Sequence, residues 1–192
     1  MKKRRLLLFL IPLLLLCSCE RKPETSTREE DLNTYSFVRD FSNMHGYRGW
    51  SYCYGDVEEP KKMTYDLELC VWRGRDFYAY MKINEQHPGN NSETIIAFTA
   101  PKAGTVSVTG SIIRCPAQWS GDGVFFYVVA LINEKLEDDY LTSTIVGELQ
   151  EEAFEYTFTK KLSANDTLYF VINPNKDNSH DQVRNDIVIE FQ

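Results

Sequence analysis

The stretch VFFYVVALI at residues 124–132 decides the fold, because it carries an apolar side chain at every position. Successive residues of a β-strand point to opposite faces, so a strand of this composition must be covered on both sides. The shorter stretch TLYFVI at residues 167–172 is almost as apolar. We therefore predict that these two segments are central strands of a sheet.

Most of the remaining chain alternates between apolar and polar residues with a period of two. Trp50, Tyr52 and Tyr54, for example, alternate with Ser51 and Cys53. Turn-forming combinations of Pro, Gly, Asn and Asp separate about ten segments of this kind, and none shows a sustained helical period. The pattern predicts an all-β, antiparallel β-sandwich, with the jelly roll as the favoured version.

The N-terminal segment has the parts of a secretory signal. Four basic residues at positions 2–5 precede an apolar run at positions 6–16. As a helix this run would span roughly 16 Å, against about 30 Å for a hydrocarbon core, so it is too short for a mature membrane span. Leu-Cys-Ser-Cys at positions 16–19 resembles the lipobox of bacterial lipoproteins, which implies cleavage before Cys19 and lipidation of that residue. An ordinary signal peptide with incidental cysteines is the alternative.

These features predict three parts: a signal peptide at residues 1–18, a flexible tether at residues 19–32 and a single binding domain at residues 33–192. The tether segment is polar and charged and contains Pro23, a composition typical of flexible spacers. A multiply acylated Cys19 would bury enough methylene groups to hold the protein on a bilayer. We expect a lipid-anchored protein of the cell envelope, in the outer membrane, with the periplasmic and surface-facing placements both open.

The charge of the mature chain restricts its partners. Removal of the signal peptide takes away four basic residues and changes the formal net charge from −7 to −11 over the remaining 174 residues. Binding to nucleic acid, or directly to an anionic bilayer surface, depends on clustered Lys and Arg. The composition therefore disfavours both partners and favours neutral or cationic ligands.

Three cysteines remain after Cys17 and Cys19 are assigned to the signal region: Cys53, Cys70 and Cys115. An odd number in an oxidising compartment allows at most one internal disulfide. A bond between Cys53 and Cys70 is the preferred pairing, because both lie in successive strand-like segments. Three buried free thiols are the alternative, which the spacing leaves open.

Five motifs follow one another along the chain. They are RDFSNMHGYRGWSYCYGD at 39–56, HPG at 87–89, FTAPKAGTVSVTGSI at 98–112, GDGVFFYVVALINEK at 121–135 and LSANDTLYFVINPNKDNSHDQVRNDIVIEF at 162–191. Together they resemble a bacterial β-sandwich module of the galactose-binding-like, carbohydrate-binding class. The resemblance implies the fold and a habit of binding sugars, and the chain departs from it at Asn165, where the module usually has glycine.

Three tryptophans are the candidate platforms for a sugar ligand. Sugar recognition combines flat aromatic surface with planar polar side chains. Trp50 shares a strand face with Tyr52 and Tyr54, so these three residues are candidates as a group, with packing in the core as the alternative. Trp119 lies in the turn-rich stretch PAQWSGDGV, where a loop tip would expose it, and Trp72 is an intermediate case.

Acidic and amide residues cluster towards the C-terminus and suggest a structural calcium ion. Ca²⁺ takes six to eight oxygen ligands, and Asp177, Asn178 and Asp181 are the first candidates, with Asp122 as a fourth if its loop folds alongside. The spacing does not match an EF-hand loop. Asn and Asp are also common in loops because they favour turns, which is the alternative explanation.

The sequence offers little support for catalysis. The histidines are isolated, and the segment GWSYC at 49–53 misses the nucleophile-elbow pattern at its last position. We therefore predict a non-enzymatic, lipid-anchored sandwich that binds a glycan or oligosaccharide and serves polysaccharide capture. The alternatives are an assembly lipoprotein whose sandwich docks another envelope protein and a small glycan-active enzyme.

Overall fold

The computed structural model describes residues 32–115, 121–147 and 152–192. Within these ranges the chain forms fifteen β-strands. In chain order they are β1 (Thr34–Ser36), β2 (Trp50–Gly55), β3 (Lys61–Lys62), β4 (Thr64–Asp66), β5 (Val71–Arg73), β6 (Tyr80–Met81), β7 (Glu85–His87), β8 (Glu93–Thr99), β9 (Gly104–Arg114), β10 (Val124–Ile132), β11 (Lys135–Leu136), β12 (Thr142–Val146), β13 (Phe154–Leu162), β14 (Thr167–Asn173) and β15 (Val183–Phe191). In the described part of the chain, no helix has the length and apolar character needed to cross a bilayer.

The first sheet is built around β15. Its strand order is β13-β9-β15-β7-β6-β5-β4, and β1 also pairs with β15. The first residues of β15 pair with β7, where Val183 lies opposite Gln86. The last residues pair with β1, where Glu190 lies opposite Thr34. The first strand of the domain therefore lies beside its last strand.

The second sheet is built around the two apolar stretches that predicted the fold. Its strand order is β11-β10-β14-β8-β2-β3, and β12 also pairs with β10. The stretch VFFYVVALI is β10, which lies between β12 and β14, and the stretch TLYFVI lies within β14, between β10 and β8. The prediction that both are central strands is confirmed.

The long strands in the second half of the chain alternate between the sheets, and the short strands β11 and β12 stay in the second sheet beside β10. β8, β10 and β14 lie in the second sheet, whereas β9, β13 and β15 lie in the first. All strand pairings are antiparallel. This alternation between two facing antiparallel sheets is characteristic of a jelly roll, and the predicted all-β jelly-roll sandwich is confirmed.

Aromatic side chains fill the space between the sheets. Trp50 is fully buried, with its ring centroid 5.0 Å from that of Phe98 and 6.4 Å from that of Phe170. The outward face of the second sheet carries a separate buried cluster that includes Tyr127 and Tyr169. Both faces of β10 and β14 are apolar because one face packs in the interior between the sheets and the other packs in the outward cluster.

Trp50, Tyr52 and Trp72 belong to this interior, contrary to the prediction that they bind sugar. They are 0%, 0% and 3% exposed, respectively. The rings of Tyr52 and Trp72 stack at 4.6 Å, and the Trp72 Nε1–H donates a hydrogen bond to the Ser42 carbonyl at 2.9 Å. Burial raises the pKa of Tyr52 to about 12. Alternation correctly placed Trp50 and Tyr52 on one face, but that face points into the core.

Cys53 and Cys70 do not form the predicted disulfide, and Cys115 is also a free thiol. Cys53 lies in β2 with its side chain in the outward cluster of the second sheet, whereas Cys70 is exposed in the turn between β4 and β5 of the first sheet. Packed sheets lie about 10 Å apart, and a disulfide requires Cα atoms within about 7 Å. The two thiols are close in sequence but belong to different sheets of the sandwich.

Candidate functional site

Two clefts lie at the end of the sandwich where β15 begins, which is the loop end of the molecule. In the first sheet, β7 and β9 finish at this end. In the second sheet, β2 and β14 finish there and β8 and β10 begin. Segments that are about a hundred residues apart in sequence, 76–93 and 173–182, consequently meet in space.

The first cleft, the aromatic cleft, has a volume of about 770 Å³ and is lined by Tyr78, Tyr80 and His87. The rings of Tyr80 and His87 stack with their centroids 5.4 Å apart, and the Tyr78 ring lies 6.2 Å from His87. Tyr78 is 50% exposed, so its ring is accessible to a ligand. A row of rings with an accessible member offers the flat apolar surface on which the C–H face of a sugar packs.

His87 serves as a fixed, uncharged wall of the aromatic cleft. It is 8% exposed, and its Nδ1 lies 2.7 Å from the Pro88 carbonyl oxygen. Burial lowers the pKa of His87, although the carbonyl groups of Pro88 and Tyr78 oppose the shift. The imidazole is therefore neutral at pH 7.

Three amide side chains complete the aromatic cleft: Asn90, Asn178 and Gln182. An amide carries both donors and an acceptor in one plane, which suits the paired donor and acceptor character of sugar hydroxyls. Within the ranges that the structure describes, no Lys or Arg lines this cleft. The cleft therefore suits an uncharged ligand better than one carrying carboxylate or sulfate groups.

The second cleft, the polar cleft, has a volume of about 690 Å³ and is organised by Glu93. The Tyr127 hydroxyl and the Asn173 Nδ2–H donate to Glu93 Oε1 at 2.7 and 2.9 Å, and the Val57 N–H donates to Oε2 at 3.1 Å. Burial and the bond to Glu93 raise the pKa of Tyr127. Three donors thus hold one carboxylate in a fixed orientation.

Among the predicted sugar-binding residues, Tyr54 lies at a cleft. It lines the polar cleft at the end of β2 and also packs against the core. Trp119 and Cys19 lie outside the described residues, so the roles predicted for them stay predictions. Cys115, the last described residue before the segment that contains Trp119, lines the aromatic cleft.

The predicted calcium ligands are distributed around the loop end. Asp181 is fully buried, and neither of its carboxylate oxygens has a hydrogen-bond partner among the residues that the structure describes. Burial raises the pKa of Asp181 to about 8, and the charges of Asp122 and Asp177 add to the rise while Arg114 opposes it. A carboxyl with this pKa is largely protonated at pH 7, and its neutral form explains how it tolerates burial.

The other three predicted calcium ligands have partners of their own. Asp122 Oδ2 accepts the Lys176 N–H at 2.9 Å, and Asp177 Oδ1 accepts the Ser179 N–H at 2.7 Å. The Asn178 Nδ2 lies 3.5 Å from the Pro88 carbonyl. Across the described residues, no group of three or more His, Cys, Asp or Glu is arranged to hold a metal ion. Asp122 Oδ1 and both carboxylate oxygens of Asp181 have no hydrogen-bond partner among the described residues, and the charge of Asp122 acts on Asp181, so these two carboxylates carry the calcium prediction further than Asp177 and Asn178 do.

Sequence inspection missed Tyr78 and Tyr80, although a signal for them exists. In the segment DFYAYMKI at 76–83, Ala79 and Met81 are fully buried. Tyr78 and Tyr80 have the opposite parity. Tyr80 begins β6 and Tyr78 lies in the turn just before it, and both residues line the aromatic cleft. Alternation alone marks a residue as facing away from the core, but it does not show which of the outward-facing aromatic residues share a cleft.

Comparisons with known proteins bear on the fold. No protein-family model matches the chain, and no curated protein sequence matches it. Similar solved structures include a xylan-binding module CBM15 (11% identity, covering 83% of this chain and 97% of that one, TM-score 0.40). They also include the K3 cleaved adhesin domain of Lys-gingipain from Porphyromonas gingivalis W83 (10% identity, 74% and 91%, TM-score 0.37) and xylanase 10C from Cellvibrio japonicus (12% identity, 74% and 27%, TM-score 0.39). At these scores the likeness concerns the fold alone.

Proposed function

We propose that this protein is a lipid-anchored envelope protein that binds a neutral glycan in the aromatic cleft and performs no catalysis on it. The observation that carries the proposal is the arrangement of Tyr78, Tyr80 and His87 beside the amides of Asn178 and Gln182. Rings provide the apolar contact and amides provide the hydrogen bonds that a pyranose requires. Because none of the described residues that line the cleft is Lys, Arg, Asp or Glu, the lining favours neutral sugars over uronic or sulfated ones.

The anchor in this proposal is Cys19, followed by the tether at residues 19–32. The signal-like segment, the lipobox-like exit and the polar spacer support it. Its function is to keep the binding domain at the outer membrane, where a captured polysaccharide would remain near the cell. Labelling of cells with palmitate tests it, because Cys19→Ala should abolish labelling and release the protein from the membrane fraction.

A glycan array followed by isothermal titration calorimetry tests the ligand. Tyr78→Ala should weaken binding of the best neutral glycan by at least about tenfold, equivalent to about 1.4 kcal/mol. It should change the unfolding free energy by about 1 kcal/mol or less, since the side chain is half exposed. The matched control is Phe77→Ala, because Phe77 is a neighbouring aromatic residue, 73% exposed, that does not line the cleft.

A protein-docking role is the competing function, and one observation favours it. Leu67, Leu69 and Ile83 are 74%, 60% and 52% exposed in the hairpin turns β4–β5 and β6–β7. Exposed apolar residues of this kind are common at protein interfaces. If no glycan binds with a Kd tighter than the millimolar range, the sugar-binding proposal fails. A sandwich that docks another envelope protein then becomes the leading explanation.

A further inference from the structure

The aromatic and polar clefts have one residue in common, Asn90, which lines both. We infer that the two clefts are halves of one groove, and that the ligand is a linear oligosaccharide that crosses Asn90 rather than a single terminal sugar. This inference rests on the proposed function, since it extends the ligand of the aromatic cleft. It assigns to the polar cleft a second set of sugar subsites.

The ridge between the two clefts is a tightly held turn. Asp76 Oδ1 accepts the Tyr78 N–H at 3.0 Å, and its Oδ2 accepts the Asn90 N–H at 2.7 Å. One carboxylate therefore joins the turn that carries the exposed tyrosine to the turn that carries the shared asparagine. The relative position of ring and amide is fixed before the ligand arrives, which reduces the entropy lost on binding.

Gly89 allows the two turns of this ridge to approach each other closely. A Cβ atom at this position would lie 2.2 Å from Ser92 Oγ and 2.8 Å from Asp76 Oδ2. The Gly89 N–H also donates to the Ser92 carbonyl at 2.9 Å. Because a side chain at Gly89 would displace Asp76, the turn can come this close to Asp76 only with glycine.

The polar cleft has the chemistry of a second sugar subsite. Glu93 is held by three donors, and the lining also carries the exposed side chain of Asn91 together with Lys61 and Lys176. Asp56 and Glu58 line it as well, so opposite charges are interspersed and the cleft has no strong net field. Fixed carboxylate, amide and ammonium groups bind sugar hydroxyls through charge-assisted hydrogen bonds.

The size of the clefts favours a chain over a single sugar. Pockets that hold drug-sized ligands occupy roughly 300–1,000 Å³, and each cleft here falls within that range, at about 770 and 690 Å³. One short sugar would fill only one of them. A ligand that occupies both gains from linkage, because the second contact is intramolecular once the first has formed.

Titration calorimetry over a ladder of chain lengths tests the groove. The probes are linear neutral oligosaccharides, from disaccharide to hexasaccharide, of whichever series (xylo-, cello-, manno- or malto-oligosaccharides) binds most strongly. In the wild type, Kd should fall at least about tenfold from the shortest to the longest member. The double variant Lys61→Ala/Asn91→Ala should bind the hexasaccharide no better than the disaccharide, with disaccharide affinity unchanged.

The control variant is Lys135→Ala, which removes an exposed lysine from β11, away from both clefts, and should keep the full gain with chain length. If Kd does not change with length, or if Lys61→Ala/Asn91→Ala keeps the gain, the groove is refuted while sugar binding in the aromatic cleft stands. If no member of any series binds, both the groove and the proposed function are refuted.

Discussion

Replacement of Trp72 by alanine should damage the fold and leave the binding surface intact. Trp72 is 3% exposed, stacks on Tyr52 and donates a hydrogen bond to the Ser42 carbonyl. Truncation of a buried tryptophan costs about 3–5 kcal/mol, and the orphaned carbonyl adds about 1 kcal/mol. For a domain of this size, a loss of that magnitude lowers Tm by roughly 10–20 °C.

Urea denaturation measures the stability of Trp72→Ala, and calorimetric titration at low temperature measures the Kd of the folded fraction. The matched variant Trp72→Phe keeps a ring over Tyr52 but loses the Nε1–H donor to Ser42, so its loss should be smaller, about 1–3 kcal/mol. The reasoning would be refuted by a Trp72→Ala protein of near wild-type stability that no longer binds glycan, because that result would place the indole at the ligand.

Three further outcomes follow from the charges and thiols. In calcium-free buffer the unfolding free energy should fall by up to about 1.4 kcal/mol per pH unit between pH 5 and 8. The reason is that the pKa of Asp181 is raised to about 8, so the folded protein keeps a proton that the unfolded chain releases near pH 4. In urea titrations, Asp181→Asn should flatten that slope. If Asp122 and Asp181 hold calcium, chelation lowers Tm, and an unchanged midpoint removes the metal. A thiol reagent should label the exposed Cys70 in the native protein and label Cys53 only on unfolding, since Cys53 is buried and burial raises its pKa to about 11. Equal labelling rates for Cys53 and Cys70 in the native protein would contradict the fold.

The strands were predictable because their signal is local. The two-faced apolar composition of β10 and β14 requires cover on both sides, and the structure supplies it with the interior on one face and the Tyr127–Tyr169 cluster on the other. Alternation also placed Trp50 and Tyr52 on one face. It could not say which face was inward, because a packed strand and a binding strand show the same period.

The clefts were less predictable because they depend on contacts between distant segments. Tyr78 and Gln182 meet only after β7, β9 and β15 have paired. The same limit explains the disulfide, since proximity in sequence placed Cys53 and Cys70 together while the sheets separate them. The strands of the two sheets were therefore predictable from the sequence. The candidate site was not, because it depends on how those strands pair.

The pairing of β1 with the last residues of β15 also separates the first described strand from the clefts. Thr34 lies opposite Glu190, and the Phe191 N–H donates to the Asn33 carbonyl, whereas Val183 at the other end of β15 lies beside the clefts. Nine strand residues, or roughly 27–30 Å, separate these two ends. The first described strand and the two clefts therefore lie at opposite ends of β15, and no residue of β1 lines either cleft.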